Sequence, residues 1–267
     1  MPVVIAPFIL LIITARSDPG VITSQNVKYH LKKNNFDYIL YLTGRECSTC
    51  HIEKPARSKH CSLCDICIGN LDHHCPFVNN CIGGGNIHLF ILFLTVNIMY
   101  LFYGWYLTYR ILSFQKRLYK SNPIALNRLL SDANLIPLGS EFYQGWRLWP
   151  TLALHNRYLG AIHFLCVFIG IVVLGFLLHH IYLLAIGCTT NESAKWADID
   201  DWLKTGEIVI LDFPYKGSRI LDISGSDSHG IQNIERTYGK YRTRLKDVTN
   251  IYDQGVYRNL IEVLIGV

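Results

Sequence analysis

Charge is scarce in this sequence. Of 267 residues 17% are charged, while 50% are apolar. An average soluble domain is roughly 25% charged, so water is not the only solvent this chain is built for. Disorder is excluded, because it needs low hydrophobicity and high net charge. No run of Lys or Arg dominates, and a net charge of +5 is too mild for a nucleic-acid binder. Outside one stretch cysteine is nearly lacking: seven of the nine lie between Cys47 and Cys81, with Cys166 and Cys188 apart. A secreted disulfide framework spreads an even number through a small chain. This clustering reads instead as a metal site in a reducing compartment. The start of the chain also lacks a basic n-region and a cleavage site after Thr14, which argues against a signal peptide.

Long apolar runs are present. One covers residues 87–112 and has no charge before Arg110; the other covers 159–187 and holds no acid, Lys or Arg. A helix needs roughly 20 apolar residues to cross the hydrocarbon core, so both are read as transmembrane helices. Aromatics near their ends, among them Trp105, Tyr109 and Tyr182, fit an interfacial belt. Val3 to Thr14 is apolar but too short to span, and residues 1–14 are read as the remnant of a membrane helix. Lys and Arg are more numerous in 15–86 and in 188–267 than in 113–158. The positive-inside rule then puts the first two segments in the cytosol and 113–158 in the lumen. Tyr143, Trp146 and Trp149 suit that luminal loop to resting on the membrane surface. The sequon Asn191-Glu192-Ser193 stays unmodified in this topology. The expected fold is mainly α, with multi-pass transmembrane helices and a cytosolic, zinc-bound cysteine-rich domain of short hairpins. His163, His179 and His180 are expected to bond within the helix bundle. Cys188, at the membrane end of the last span, is read as an idle thiol or a palmitoylated one.

The chemistry concentrates between Cys47 and Cys81. Cys47-x-x-Cys50 is followed by His60-Cys61-x-x-Cys64-x-x-Cys67, then Asp72-His73-His74-Cys75, then Cys81. Paired C-x-x-C steps bring two sulfurs onto one ion at the tetrahedral angles zinc prefers. Seven cysteines and four histidines (His51, His60, His73, His74) make eleven candidates. Two zincs take eight and leave three over. The stretch has few large apolar residues, so metal binding supplies most of its folding energy. Asp72, His73 and Cys75 also suit a nucleophile, its base and the carboxylate that orients the base. From spacing alone, Cys75 is as readily another zinc ligand with Asp72 behind it.

Asp72-His73-His74-Cys75 in this setting resembles the signature of the DHHC protein S-acyltransferases, the palmitoyltransferases. Lys54-Pro55-Ala56-Arg57-Ser58-Lys59-His60-Cys61 and Asn79-Asn80-Cys81-Ile82-Gly83 match as well. Asp18-Pro19-Gly20, Thr189-Thr190-Asn191-Glu192 and a C-terminal motif with Gly255 and Asn259 stand where the family has its own. The resemblance implies one zinc on Cys47, Cys50, His60 and Cys67, and a second on Cys61, Cys64, His74 and Cys81. It leaves His51 on the surface and gives catalytic roles to Cys75, His73 and Asp72. Palmitoyl-CoA is the implied acyl donor, with its phosphates met by Lys54, Arg57 and Lys59. Gly83-Gly84-Gly85-Asn86, the long luminal segment and Lys195-Trp196 resemble the endoplasmic-reticulum subgroup that modifies juxtamembrane cysteines of SNAREs. The implied location is the endoplasmic-reticulum membrane, with the Golgi membrane as the alternative. Against the family pattern the first span is absent and the second clipped, so an N-terminal truncation is expected. Phe77 stands where the family commonly has tryptophan. Two other classes compete: an inactive truncated scaffold, and a membrane-anchored structural zinc module of the RING type, which the lack of a further C-x-x-C after Cys81 disfavours.

Overall fold

The computed structural model describes residues 2–122, 124–125, 128, 148–213, 217–224, 241–242, 244–245 and 248–265. Tyr143, Trp146 and much of the segment between 206 and 247 lie outside these. The chain is helix-rich and falls into two compact units. One comprises Met1–Phe8 and Phe93–Leu178, the other Ile9–Leu92 and His179–Val267.

The first unit is built on two helices long and apolar enough to cross a membrane, α3 (Ile87–Ser121) and α5 (Arg157–Ala185). Both begin or end in the second unit. At 1.5 Å per residue a 29-residue helix is about 43 Å long, more than the roughly 30 Å of hydrocarbon. Helix α3 runs on to Ser121, beyond the expected end at 112, because Gln115, Lys116 and Arg117 are good helix formers. Large apolar side chains such as Phe102, Phe164, Phe168 and Ile171 are exposed, a surface suited to lipid. Gly104 lets the two helices approach: a Cβ there would stand 3.1 Å from Cys166 Sγ. A short helix, α4 (Leu148–His155), buries Leu148 and Leu152 against Leu112. Its Trp149 stacks on Tyr109 with ring centroids 5.0 Å apart. His163 does bond inside this unit, its Nδ1 lying 2.9 Å from Thr108 Oγ1.

Among its described residues the second unit carries three small sheets. Strands β1 (Val21–Ile22), β2 (Lys59–Cys61) and β3 (Ile66–Ile68) form one, in the order β1-β3-β2. Strands β4 (His73–Cys75) and β5 (Asn80–Ile82) form the second. All pairs are antiparallel. Helix α1 (Pro2–Arg16) leads into Asp18-Pro19-Gly20, which docks on the glycines after β5. Gly85 N donates to Pro19 O, and a Cβ on Gly83 or Gly85 would stand 2.5 Å from the carbonyl oxygen of Pro19 or Asp18 respectively. These contacts tie the Asp18-Pro19-Gly20 and Gly83-Gly84-Gly85 motifs together physically. Asn86, just before α3, ties the glycine turn to β5, its Oδ1 accepting from Gly83 N and its Nδ2 donating to Cys81 O.

Helix α6 (Thr190–Thr205) packs Ile199 and Leu203 against Ile208 and Ile210 of β6 (Ile208–Phe213). The strand-like run Ile208–Leu211 is thus a strand, flanked by β7 (Gly217–Asp222) and β8 (Tyr241–Arg242). A short helix α2 (Val27–Lys33) precedes the cysteine-rich stretch, and α7 (Val256–Ile265) ends the described chain. On α7, Asn259 Nδ2 donates to Ala185 O, latching the end of α5.

Candidate active site

Short hairpins set the ligand positions by register. His60 lies opposite Cys67 in the β2–β3 pair, and His74 opposite Cys81 in the β4–β5 pair. Each hairpin therefore presents one imidazole and one sulfur together, and a C-x-x-C turn adds two more sulfurs. Two clusters result: Cys47, Cys50, His60 and Cys67, and Cys61, Cys64, His74 and Cys81, each with all ligand atoms within 4.8 Å of one another.

Zinc–sulfur and zinc–nitrogen bonds of about 2.3 and 2.05 Å at a tetrahedral angle demand an S···N edge of roughly 3.6 Å. His60 Nδ1 lies 3.6, 3.3 and 3.8 Å from the sulfurs of Cys47, Cys50 and Cys67. His74 Nδ1 lies 3.8, 3.4 and 3.5 Å from those of Cys61, Cys64 and Cys81. Both clusters fit zinc. The far nitrogen of His60 faces Asp65 at 3.4 Å, the partner that orients a metal-bound imidazole. Asp72, His73 and His180 form a third group of potential ligands, but it fails the same test. His73 Nδ1 and Asp72 Oδ2 are 2.6 Å apart, far shorter than the roughly 3.3 Å edge of two N/O ligands on one zinc. That contact is a hydrogen bond.

Alternation along β4 decides what is left over. Successive side chains on a strand point to opposite faces, so His73 and Cys75 share a face and His74 takes the other, toward its cluster. Cys75 is in neither cluster and is buried. His73 and the amides of Phe77 and Val78 all act on its sulfur. Burial opposes ionisation, but these donors and the charge of His73 outweigh it and lower the thiol pKa. Burial likewise opposes charge on His73, yet the bonds to Asp72 and Cys75 raise it to about 9. Asp72 is held well below the usual carboxylate range: burial is overcome by His180, His73 and the Thr190 amide. The three groups are arranged so that the thiol proton is easily lost, with His73 beside it and Asp72 behind His73.

Asp72 is fixed by residues far away in sequence. Thr190, the first residue of α6, donates its backbone N–H to Asp72 Oδ1 at 2.7 Å and its hydroxyl to Oδ2 at 2.8 Å. A helix N-terminus favours such an anion. The helix is held by a capping box: Glu192 N donates to Thr189 Oγ1, and Thr189 N to Glu192 Oε2. Glu192 is buried and pairs bidentately with Arg57, at 2.8 and 2.6 Å, while Tyr41 donates a third bond to it. Arg57 also donates to Gly187 O and lies over the Tyr252 ring. Its expected role on phosphates would require this pair to open. Lys59 donates to Asn191 Oδ1, Lys54 is half-buried, and His51 is exposed as expected. Cys188 is buried, its thiol donating to Thr189 O, and burial pushes it up to about 12. Such a thiol is an inert packing group, and modification would require it to be uncovered.

Three features escaped the sequence reading. The Thr189-x-x-Glu192 spacing is itself a capping-box signature. A repeat is also there: Cys47, Cys61 and Cys75 stand 14 residues apart, as do Cys50, Cys64 and Val78. The third is the place of His180 beside Asp72, to which nothing in its sequence surroundings points.

Comparison with known proteins gives the family. Residues 41–197 match the family model described as DHHC palmitoyltransferase. The chain is 33% identical to "Palmitoyltransferase SWF1" of Yarrowia lipolytica, over 93% of this chain and 65% of that protein. It is 29% identical to the Emericella nidulans protein of the same printed name, over 98% of this chain and 70% of that one. For the Candida albicans protein the figures are 37%, 95% and 67%. The chain thus spans about two thirds of the length of these relatives. With more than half of its residues inside the family model, and with a sulfur that neither metal cluster claims beside a His–Asp pair, this chain belongs to the DHHC palmitoyltransferase family.

Proposed function

We propose that the chain is a protein S-acyltransferase, which moves a long-chain acyl group from acyl-CoA to cysteines of membrane-associated proteins through an acyl-Cys75 intermediate. One observation carries this reading: of the seven clustered sulfurs, that of Cys75 alone stands outside both metal groups, and it shares the β4 face with His73, which acts on its charge. Zinc, held by Cys47, Cys50, His60 and Cys67 and by Cys61, Cys64, His74 and Cys81, supplies rigidity and leaves the chemistry to the side chains.

His73 Nδ1 is engaged by Asp72, so Nε2 is the nitrogen left to take the proton from Cys75. The thiolate attacks the thioester carbonyl carbon, the bond to the CoA sulfur breaks, and His73 returns the proton to that sulfur. A thiol of a second protein, deprotonated by His73, then attacks the acyl-Cys75 carbonyl, and the Cys75 sulfur leaves and recovers its proton. Asp72 keeps the imidazole in one tautomer and stabilises its charge throughout. The acyl tail stays in hydrocarbon, which spares about 0.8 kcal/mol per CH₂.

Palmitoyl-CoA is the proposed donor, with Lys54, Arg57 and Lys59 toward its phosphates. Lys54 and Lys59 both act on the charge of Lys195, so they lie on one cationic patch. Arg57 joins that role only if it releases Glu192. The apolar helices and the family support a multi-pass membrane protein. The curated relatives' shared name supports palmitate transfer, and the sequence resemblance supports the endoplasmic-reticulum membrane and SNARE-like substrates. The test is incubation of the full chain with a clickable palmitoyl-CoA analogue. Wild type is expected to gain a hydroxylamine-labile label and Cys75→Ala none, with two zincs per chain in both; a labelled Cys75→Ala protein would refute the mechanism.

A further inference from the structure

His180 sits near the end of α5, 2% exposed, and 107 residues from its neighbour His73. Its Nε2 lies 3.4 Å from Asp72 Oδ2. That is long for a hydrogen bond but close enough for an N–H dipole to act on a carboxylate in a dry site. The ring also constrains its neighbours. His180 meets His73 edge-on, centroids 5.6 Å apart at 61°, and Phe90 at 5.5 Å and 64°. His73 and Phe90 meet at 5.3 Å and 69°. Three rings thus stand mutually edge-to-face, the arrangement aromatic quadrupoles favour. The triangle leaves the His73 ring little freedom to rotate away from Cys75.

Asp72 is accordingly gripped from two elements. Thr190 of α6 donates to both of its oxygens, and His180 of α5 stands against Oδ2, the oxygen that also receives His73. A carboxylate pulled by Thr190 alone would rotate toward α6 and away from His73. We propose that His180 is a positioning residue for acyl transfer: with an N–H on Nε2, it holds Asp72 Oδ2 on the side of His73 and walls the His73 ring into the plane that faces Cys75. The inference rests on the acyltransferase reading above and adds to it a residue that touches neither acyl group nor nucleophile.

A residue acting through Asp72 has a signature that simple packing lacks. In full-length protein, His180→Phe keeps a ring for the triangle and removes the N–H. Its single-turnover rate of Cys75 acylation is expected to fall about tenfold, with KM for palmitoyl-CoA unchanged. In an Asp72→Asn background the same change should alter the rate less than twofold, because the carboxylate it holds is gone. His180→Gln returns an N–H donor and is expected to stay within threefold of wild type. Two zincs per chain report an intact fold in every variant. Equal fold-losses from His180→Phe with and without Asp72, or His180→Gln as slow as His180→Phe, would overturn the proposal. If His180→Phe loses zinc, the same cycle on His180→Gln decides: a larger than threefold loss with zinc intact counts against it. Failure of the acyltransferase reading looks different, since wild type itself would then carry no label on Cys75.

Discussion

The hairpins that begin at Cys61 and Cys75 are the same piece of structure used for two purposes. In one, Cys61 pairs with Ile66 and His60 with Cys67; in the other, Cys75 pairs with Asn80 and His74 with Cys81. Each turn passes through a left-handed residue four positions on, Asp65 at φ 56° and Asn79 at φ 49°. A third copy precedes them: Cys47 N bonds Ile52 O, and His51 stands at φ 51°. Residues outside glycine adopt that region at a cost, so its recurrence at one register marks a shared turn. In all three, backbone amides two and three residues on point back at the first sulfur. What differs is the fourth residue. Cys50 and Cys64 complete a chelating pair, whereas Val78 closes the third turn with an apolar side chain, 2% exposed. A turn shaped to hold a metal-bound thiolate thus becomes one that holds a metal-free thiol and lowers its pKa, by the removal of one ligand.

The largest expected effect separates the two uses directly. Cys64→Ser should lose its zinc and, with it, the folding energy of a stretch that has little apolar core of its own. Metal analysis should show fewer than two zincs per chain, and all acyl transfer should vanish. Cys75→Ser should lose transfer as completely while keeping two zincs. Identical metal loss in both variants would erase the distinction between ligand and nucleophile.

A smaller effect probes what makes the third turn reactive. Asp72→Asn preserves shape and its bonds to Thr190 in part, but it removes the charge that supports His73. The rate of acyl-enzyme formation is expected to fall about a hundredfold or more, within the range a positioned acid–base contributes, with zinc content unchanged. A loss under threefold would mean that His73 needs no carboxylate, and that the third hairpin relies on its amides alone.

Spacing showed a two-zinc stretch with three ligands to spare, because C-x-x-C steps impose a short-range geometry, but which eight residues bind came only from the family resemblance. Cys75 was ambiguous by spacing: period-two alternation on β4 separates it from His74, and a strand of three residues leaves no periodic signal to read. The partners of Asp72 were not legible. Thr190 lies 118 residues away, and what brings it back is the buried Arg57–Glu192 pair and the packing of α6 on β6, neither of which has a local signature. Helix α3 outruns the expected span for a simpler reason. Charge marks where a helix leaves hydrocarbon, while Lys and Arg continue the helix beyond that point. The Arg57 phosphate role rested on charge and on the family resemblance, and the bidentate grip of Glu192 can be seen only in three dimensions.

The mildest test reverses the substitution that distinguishes the third turn. Val78→Cys is close to isosteric, and in the absence of added metal it should cost less than about 1.5 kcal/mol of stability and leave acylation within threefold. It also restores a C-x-x-C pair, starting at Cys75, on a backbone with the same left-handed fifth residue as the two metal-binding turns. With His73 beside it, three ligands are at hand and no fourth sulfur, so binding should be weak and reversible. Micromolar zinc is expected to inhibit the variant severalfold and wild type not at all, with activity returning on dilution into a mild chelator. The two structural sites, each with four ligands, should hold their ions through that treatment. Equal zinc sensitivity of variant and wild type would show that the third turn does not converge two sulfurs as the first two do, and the lowered pKa of the Cys75 thiol would then need another origin than a metal-binding turn short of one ligand.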